Sequence, residues 1–262
     1  MEQPPPIPES PAPAAPPEPT MSLATRLVNV FAVPGEVFED TRISRPCAAN
    51  WLVPSLIACV VGIFAAIVMF SQPNIQQQIR EQQEKAMQEQ VKAGKMTQAQ
   101  ADQAVAMMEK FTGPTMMKAF GAVGAVVVSF VRLFWWGLVL WLLGRWLLKA
   151  RFGYMKTVEI AGLASMIAVL GSIVTLLLIV NFGKLFSTPS LALAVGDFDV
   201  KNKGHLLLGA VNVFTFWQVA VMSIGLARLA VVPWARAMLA VLTFWLVWTL
   251  LLVLIGLGQF AM

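Results

Sequence analysis

The side chain of this chain best placed to do chemistry is an arginine inside a long apolar run. Arg132 lies within residues 119–148, which are otherwise apolar up to Arg145. A charge at a bilayer centre costs about 3 kcal/mol on insertion scales and by default marks function. Two readings compete. The run exceeds the roughly 20 residues that span a bilayer, so Arg132 could snorkel to an interface past Trp135 and Trp136. If it is buried instead, Asn212 or Gln218 on a later apolar run are its hydrogen-bond partners. Glu159 is a poor partner, because it belongs to the opposite end of a helical hairpin. Asn212, Gln218 and Asn181 read first as hydrogen bonds between helices and second as the lining of a pathway.

The remaining inventory argues against catalysis. His205 is the sole histidine, and without a second imidazole it offers no metal site. No HExxH, GxSxG or phosphate-loop pattern occurs. Gly196-Asp197 falls short of an intramembrane aspartyl protease motif: position 194 is Ala where that motif has Gly, the segment is a loop, and no Tyr-Asp partner exists. Cys47 and Cys59 give neither a disulfide framework nor ligand spacing. The site expectation is therefore three intramembrane polar residues, Arg132, Asn212 and Gln218, with no catalytic residue, no metal and no cofactor.

These side chains need membrane helices to position them. Hydrophobic residues make up 58% of the chain and charged residues 13%, far from the balance of a soluble domain. The apolar residues gather into runs at about 51–70, 119–148, 160–180, 206–227 and 238–257. Backbone groups in lipid must be satisfied within their own segment, so each run reads as a helix. Short connections at 149–156 and 228–236 make hairpins of spans two and three and of spans four and five. The fold class that follows is an all-α integral membrane protein, a bundle of five transmembrane helices with an extramembrane helical hairpin between the first two.

That hairpin is the polar insert, 71–118. It breaks at Gly94 and restarts at Thr97-Gln98-Ala99-Gln100, which has capping-box spacing. Ala101, Ala104, Val105, Met108 and Phe111 then recur at helical intervals. Residues 183–205 form a second, shorter loop. Residues 1–21 are a proline-rich tail with too little apolar surface to order itself, and Pro13 to Pro16 has the spacing of a docking motif. Met21 is a candidate second start. Residues 22–48 place Leu23, Leu27, Val30 and Phe31 around Arg26, interrupted by Pro34-Gly35. They read as two short amphipathic helices, lying on the headgroups or packed on the bundle.

The net charge of +5 sits beside the apolar runs rather than in a stripe, which suits lipid headgroups and not nucleic acid. Arg42, Arg45, Arg145, Lys149, Arg151, Lys156, Arg228 and Arg236 crowd the N-terminal side in short loops. The positive-inside rule then gives a cytoplasmic N-terminus and an exterior C-terminus.

A family pattern emerges from the same residues. Phe31-Ala32-Val33-Pro34-Gly35-Glu36-Val37-Phe38-Glu39 precedes Trp51-Leu52-Val53-Pro54 at the first span. Much later, Leu208-Gly209-Ala210-Val211-Asn212-Val213-Phe214-Thr215-Phe216-Trp217-Gln218 leads to Ile224-Gly225-Leu226-Ala227. From about 22 to 258 the chain resembles the bacterial branch of the Yip (Ypt/Rab-interacting protein) domain family. The resemblance implies a five-span protein with a cytoplasmic N-terminus; eukaryotic members associate with small GTPases and with each other. This chain lacks their Asp-Leu-Tyr-Gly-Pro signature, and its Gly153-Tyr154 precedes the third span instead of lying in it. Small-GTPase binding is therefore not carried over.

The functional expectation is a non-enzymatic membrane-organising or partner-recruiting scaffold of a bacterial inner membrane. Its interactions would be with the lipid bilayer, protein partners or further copies of itself. The alternative, a transporter or channel component, draws on Arg132, on Pro54 breaking the first span and on the polar residues of the fourth.

Overall fold

The computed structural model describes residues 20–111, 113–196 and 198–258, apart from the side chains of 108–111. The tail with its Pro13–Pro16 spacing, Asp197, and the side chains of Met108 and Phe111 in the expected stripe lie outside the described residues.

Among the described residues the secondary structure is helical. Two short helices, α1 (Leu23–Ala32) and α2 (Pro34–Ile43), precede α3 (Ala49–Met69). The insert supplies α4 (Pro73–Lys92) and α5 (Gln98–Phe111). Then come α6 (Pro114–Leu142), which runs on as a π-helical turn over Leu143–Leu147, and α7 (Tyr154–Phe182). A single 3-10 turn (Leu191–Ala194) interrupts the second loop before α8 (Lys203–Ala210), α9 (Val213–Ala230) and α10 (Trp234–Leu254). Five of these are long and apolar enough to cross a membrane: α3, α6 with its π turn, α7, α9 and α10. The architecture is the all-α five-helix bundle with an external helical hairpin.

The spans form two groups joined by α7. Helices α3, α6 and α7 pack as a trio, α9 and α10 as a hairpin, and α7 meets α9. Val158, Ile160, Leu163, Ala164 and Ile167 of α7 are buried, so this half of the helix is core all round. Close crossings need small residues. A Cβ at Gly162 would stand 2.4 Å from Trp51 Cα, so only glycine lets α7 reach the α3 backbone there. A Cβ at Gly121 would stand 2.9 Å from Ala66 Cβ, which places the Gly121-x-x-x-Ala125 pair on the crossing of α6 with α3.

The external hairpin forms as its turn chemistry requires. Gly94 takes φ +68, and the bonds Gly94 N to Val91 O (3.0 Å) and Lys95 N to Gln90 O (3.0 Å) close a Schellman motif. Thr97 N donates to Gln100 Oε1 (2.9 Å) while Gln100 N donates to Thr97 Oγ1 (3.3 Å), the reciprocal capping box. The hairpin is also tethered to the second loop. Gln78 donates to Gly183 O (2.6 Å) and accepts from Leu185 N (3.0 Å), and Lys201 pairs with Glu89.

Four expectations are corrected. The fourth span is not continuous over 206–227: α8 ends at Ala210, and Asn212 caps a new helix by accepting from Phe214 N at 2.9 Å. Asparagine at that point competes for the backbone and starts a helix better than it continues one. The loop then pairs with the break, Leu191 N donating to Val211 O and Val213 N to Pro189 O, both at 3.2 Å. Pro54 does not break the first span, because α3 runs through it. It removes only the bond to the Asn50 carbonyl, which faces the backbone space left open at Gly162. The third span begins at Tyr154, ahead of residue 160, with Lys156 half-buried and Glu159 buried within its first turns. The end of the expected tail is held against α2: Thr20 N and Oγ1 donate to Asp40 Oδ1 at 2.8 and 2.7 Å.

Candidate functional site

The two short helices decide between their alternatives by packing on the bundle, α1 against α7 and α2 against α9. Their apolar residues Val30, Val37 and Phe38 are fully buried. So is the charge they carry. Arg26 retains 2% of its surface and Asp40 4%, and two bonds from Arg26, Nε (3.0 Å) and Nη2 (2.6 Å), converge on Asp40 Oδ2.

The remaining nitrogen of that guanidinium reaches into the membrane domain. Arg26 Nη1 donates to Asn50 Oδ1 (2.9 Å), and Asn50 Nδ2 donates to Glu159 Oε2 (2.6 Å). An amide is the side chain this position demands, because it must accept from a cation that only donates and donate to an anion that only accepts. Lys156, one helical turn before Glu159, lies 3.3 Å from its Oε1. The same ammonium donates to the C-terminal carbonyls of α2, Thr41 O (2.6 Å) and Ser44 O (2.8 Å). Two cations and two anions thus balance inside one buried network that ties α1 and α2 to α3 and α7.

Electrostatics fix the protonation state at its edge. Burial alone would raise the Asp40 carboxyl, but the hydrogen bonds from Thr20 and Arg26 outweigh it and hold the group at about 2, against an ordinary 3.8. Asp40 therefore stays ionised throughout the physiological range. Glu39 is also lowered, by its hydrogen bond from Arg42 on the exposed face of α2.

The residues singled out from the sequence are dispersed. Arg132 Nη2 lies 3.4 Å from Gln218 Oε1, so spans α6 and α9 do touch at this pair. Gln218 is buried while Arg132 is exposed at the bundle surface. Asn212 takes no part, being used as the α9 cap. Asn181 bonds back to Leu177 O within its own helix. His205 Nδ1 accepts from Asp199 N (3.1 Å) in the second loop. Sequence reasoning missed the network. Its signals were visible singly: Arg26 inside an apolar pattern, Asn50 at the mouth of a span, and Glu159 as the one acid of the spans.

The arrangement holds helices together through paired charges. Among the described residues no cluster of His, Cys, Asp or Glu is arranged to hold a metal ion. The Yip1 domain model matches residues 28–256, nearly the whole described chain. The chain belongs to the Yip1 domain family. The match begins within α1 and ends past α10, so the docked Yip1 unit includes part of the pre-membrane segment as well as all five spans. No curated protein and no solved structure matches the chain. As a Yip1-domain protein with five spans it is a multi-pass membrane protein.

Proposed function

We propose that this Yip1-domain protein is a non-enzymatic membrane scaffold that presents fixed helical surfaces for protein partners on both faces of the bilayer. The observation that carries the reading is the buried network from Asp40 through Arg26 and Asn50 to Glu159. A free amphipathic anchor would leave its cation in the headgroups; here the cation is spent on holding α1 and α2 to the spans. The opposite face carries the α4–α5 hairpin, tethered by Gln78 to the end of α7. Both devices fix shape outside the membrane, as recruitment requires.

The N-terminal face, dense in short-loop Arg and Lys, is the cytoplasmic one in this proposal, and the membrane is a bacterial inner membrane. Labelling of intact cells with an impermeant thiol reagent, in a background with Cys47→Ser, checks the orientation. Cysteines at Gln88 and Gly196 react and one at Gly153 does not; the reverse pattern inverts the topology. Purification of the full-length protein in mild detergent tests the scaffold. A defined protein partner, lost from the Asp40→Ala variant, supports it. Solute flux in liposomes without any partner overturns it.

One observation favours the transporter alternative. The chain unwinds between α8 and α9, and discontinuous helices mark binding sites in transporters. The break is filled, however, by the loop bonds at Pro189 and Leu191 and by the Asn212 cap, which leaves its backbone groups little capacity for a solute.

A further inference from the structure

Among the described residues, Arg132 has no counter-charge. It sits about 27 Å along the helix from Pro114 and about 22 Å from Leu147, at 1.5 Å per residue. Its partner Gln218 lies about 18 Å down α9 from Ala230 by the same rise. Of its five N–H donors, one makes a long bond of 3.4 Å to a neutral amide. Among the described residues, the only acid in the five spans is Glu159, which is buried and bonded to Asn50. A second copy of this chain therefore has no free span carboxylate to offer.

The surroundings are apolar. Helix α6 meets α10 through long side chains: the Trp135 ring lies 4.9 Å from Trp248 and 6.5 Å from Phe244. Arg132, one turn before Trp136, opens beside this aromatic wall, and Val128, one turn away on the same helix, is 60% exposed. A cationic fork exposed on an apolar, aromatic-flanked surface of a membrane span calls for an anion carried on hydrocarbon.

The geometry points to an intramembrane binding site for a fatty-acyl carboxylate, with Arg132 gripping the carboxylate and the chain lying along Val128 and the Trp135–Trp248 wall. A carboxylate is the smallest anionic head that matches a guanidinium through two parallel bonds. Phospholipid heads carry a glycerol and ester groups that would have to be desolvated at the same depth. The Gln218 amide stays on the remaining face of the guanidinium and fixes its plane.

Tryptophan quenching tests the site in full-length protein reconstituted into phosphatidylcholine vesicles at alkaline pH, where a fatty acid is ionised. The probes are dibromostearic acid and its methyl ester. In the native protein the acid quenches with a saturable component and the ester does not. Arg132→Leu raises the half-saturating concentration of the acid about tenfold, the loss of one charge-assisted pair. Equal concentration dependence for acid and ester in the native protein overturns the proposal without recourse to any variant. So does an unchanged response in folded Arg132→Leu. Arg132-dependent saturation by a brominated phosphatidylglycerol, with none by the acid, overturns the carboxylate assignment in favour of a phospholipid head.

Discussion

Arg26 and Arg132 both lie inside apolar stretches of the sequence, and their surroundings differ in kind. Around Arg26, a carboxylate takes two bonds and an amide a third, so every nitrogen of the guanidinium donates to a partner, and 2% of its surface remains. Around Arg132, one amide oxygen at 3.4 Å is the polar complement among the described residues, and the side chain is exposed at the bundle surface. The first charge is structural, because removing any partner leaves a buried ion uncompensated. The second is available. In a membrane protein a polar residue is thus better judged by whether its partners are complete than by how deeply it lies.

The largest expected effect follows from breaking the complete site. Asp40→Ala leaves Arg26 buried without its carboxylate and should cost about 3–5 kcal/mol, the range for one-sided removal from a buried pair. Arg132→Leu should cost no more than about 0.6 kcal/mol, an average interhelical hydrogen bond in a membrane. Denaturation of the purified protein by a graded anionic detergent measures both. Similar losses for the two variants would erase the contrast between the sites.

Asn50 sharpens the comparison from inside the network. Asn50→Leu has nearly the right volume but neither accepts from Arg26 nor donates to Glu159. A loss of about 1–3 kcal/mol is expected for the polar groups left unpaired. Asn50→Asp keeps the bond from Arg26 but sets a second carboxylate against Glu159. If leucine is tolerated as well as asparagine, the relay between α1 and α7 is not a link in the docking.

How much of this was legible beforehand depends on the range of each interaction. The five spans and the insert were readable because apolar runs and local caps such as Thr97 with Gln100 report on neighbours a few residues away. The break at Asn212 was hidden, since a single asparagine in an apolar run is equally a cap or a bond between helices. The network was hidden for a different reason. Asn50 and Glu159 are separated by 109 residues, and no periodicity links an amide in one span to an acid in another. Arg26 looked like the polar edge of an interfacial helix because amphipathic spacing is the same whether the partner is lipid or protein.

Protonation gives a smaller, graded effect. The Asp40 carboxyl is lowered to about 2 from 3.8, so its contribution is fully present above pH 3.8 and is lost as pH falls towards 2. Detachment of α1 and α2 is expected across that window, while the Arg132–Gln218 contact, which contains no carboxylate, should not respond there. Tryptophan emission tracks the first, since Trp217 packs edge-on against Phe31 of α1 at 6.0 Å. Detachment already complete at pH 5 would contradict this assignment.

The smallest effect is the coupling at the available site. A double-mutant cycle of Arg132→Leu with Gln218→Leu should give a coupling of about 0.6 kcal/mol. The cycle of Arg132→Leu with Asn212→Leu should be additive, because Asn212 is committed to the α9 cap. Coupling to Asn212 and not to Gln218 would reverse the placement of the two residues.

Docking of the N-terminal helices on the spans is the claim on which the scaffold reading rests, and amide hydrogen exchange of the full-length protein in lipid nanodiscs tests it most directly. The amides of Val28–Phe31 in α1 and Val37–Thr41 in α2 should exchange slowly, close to those of α7. Those of the α4–α5 hairpin, held by fewer buried contacts, should exchange faster. In Asp40→Ala the α1 and α2 amides should move to the hairpin's rate while α7 is unchanged. Exchange in the native protein as fast in α1 and α2 as in the hairpin would show that these helices are not docked, and would contradict the account.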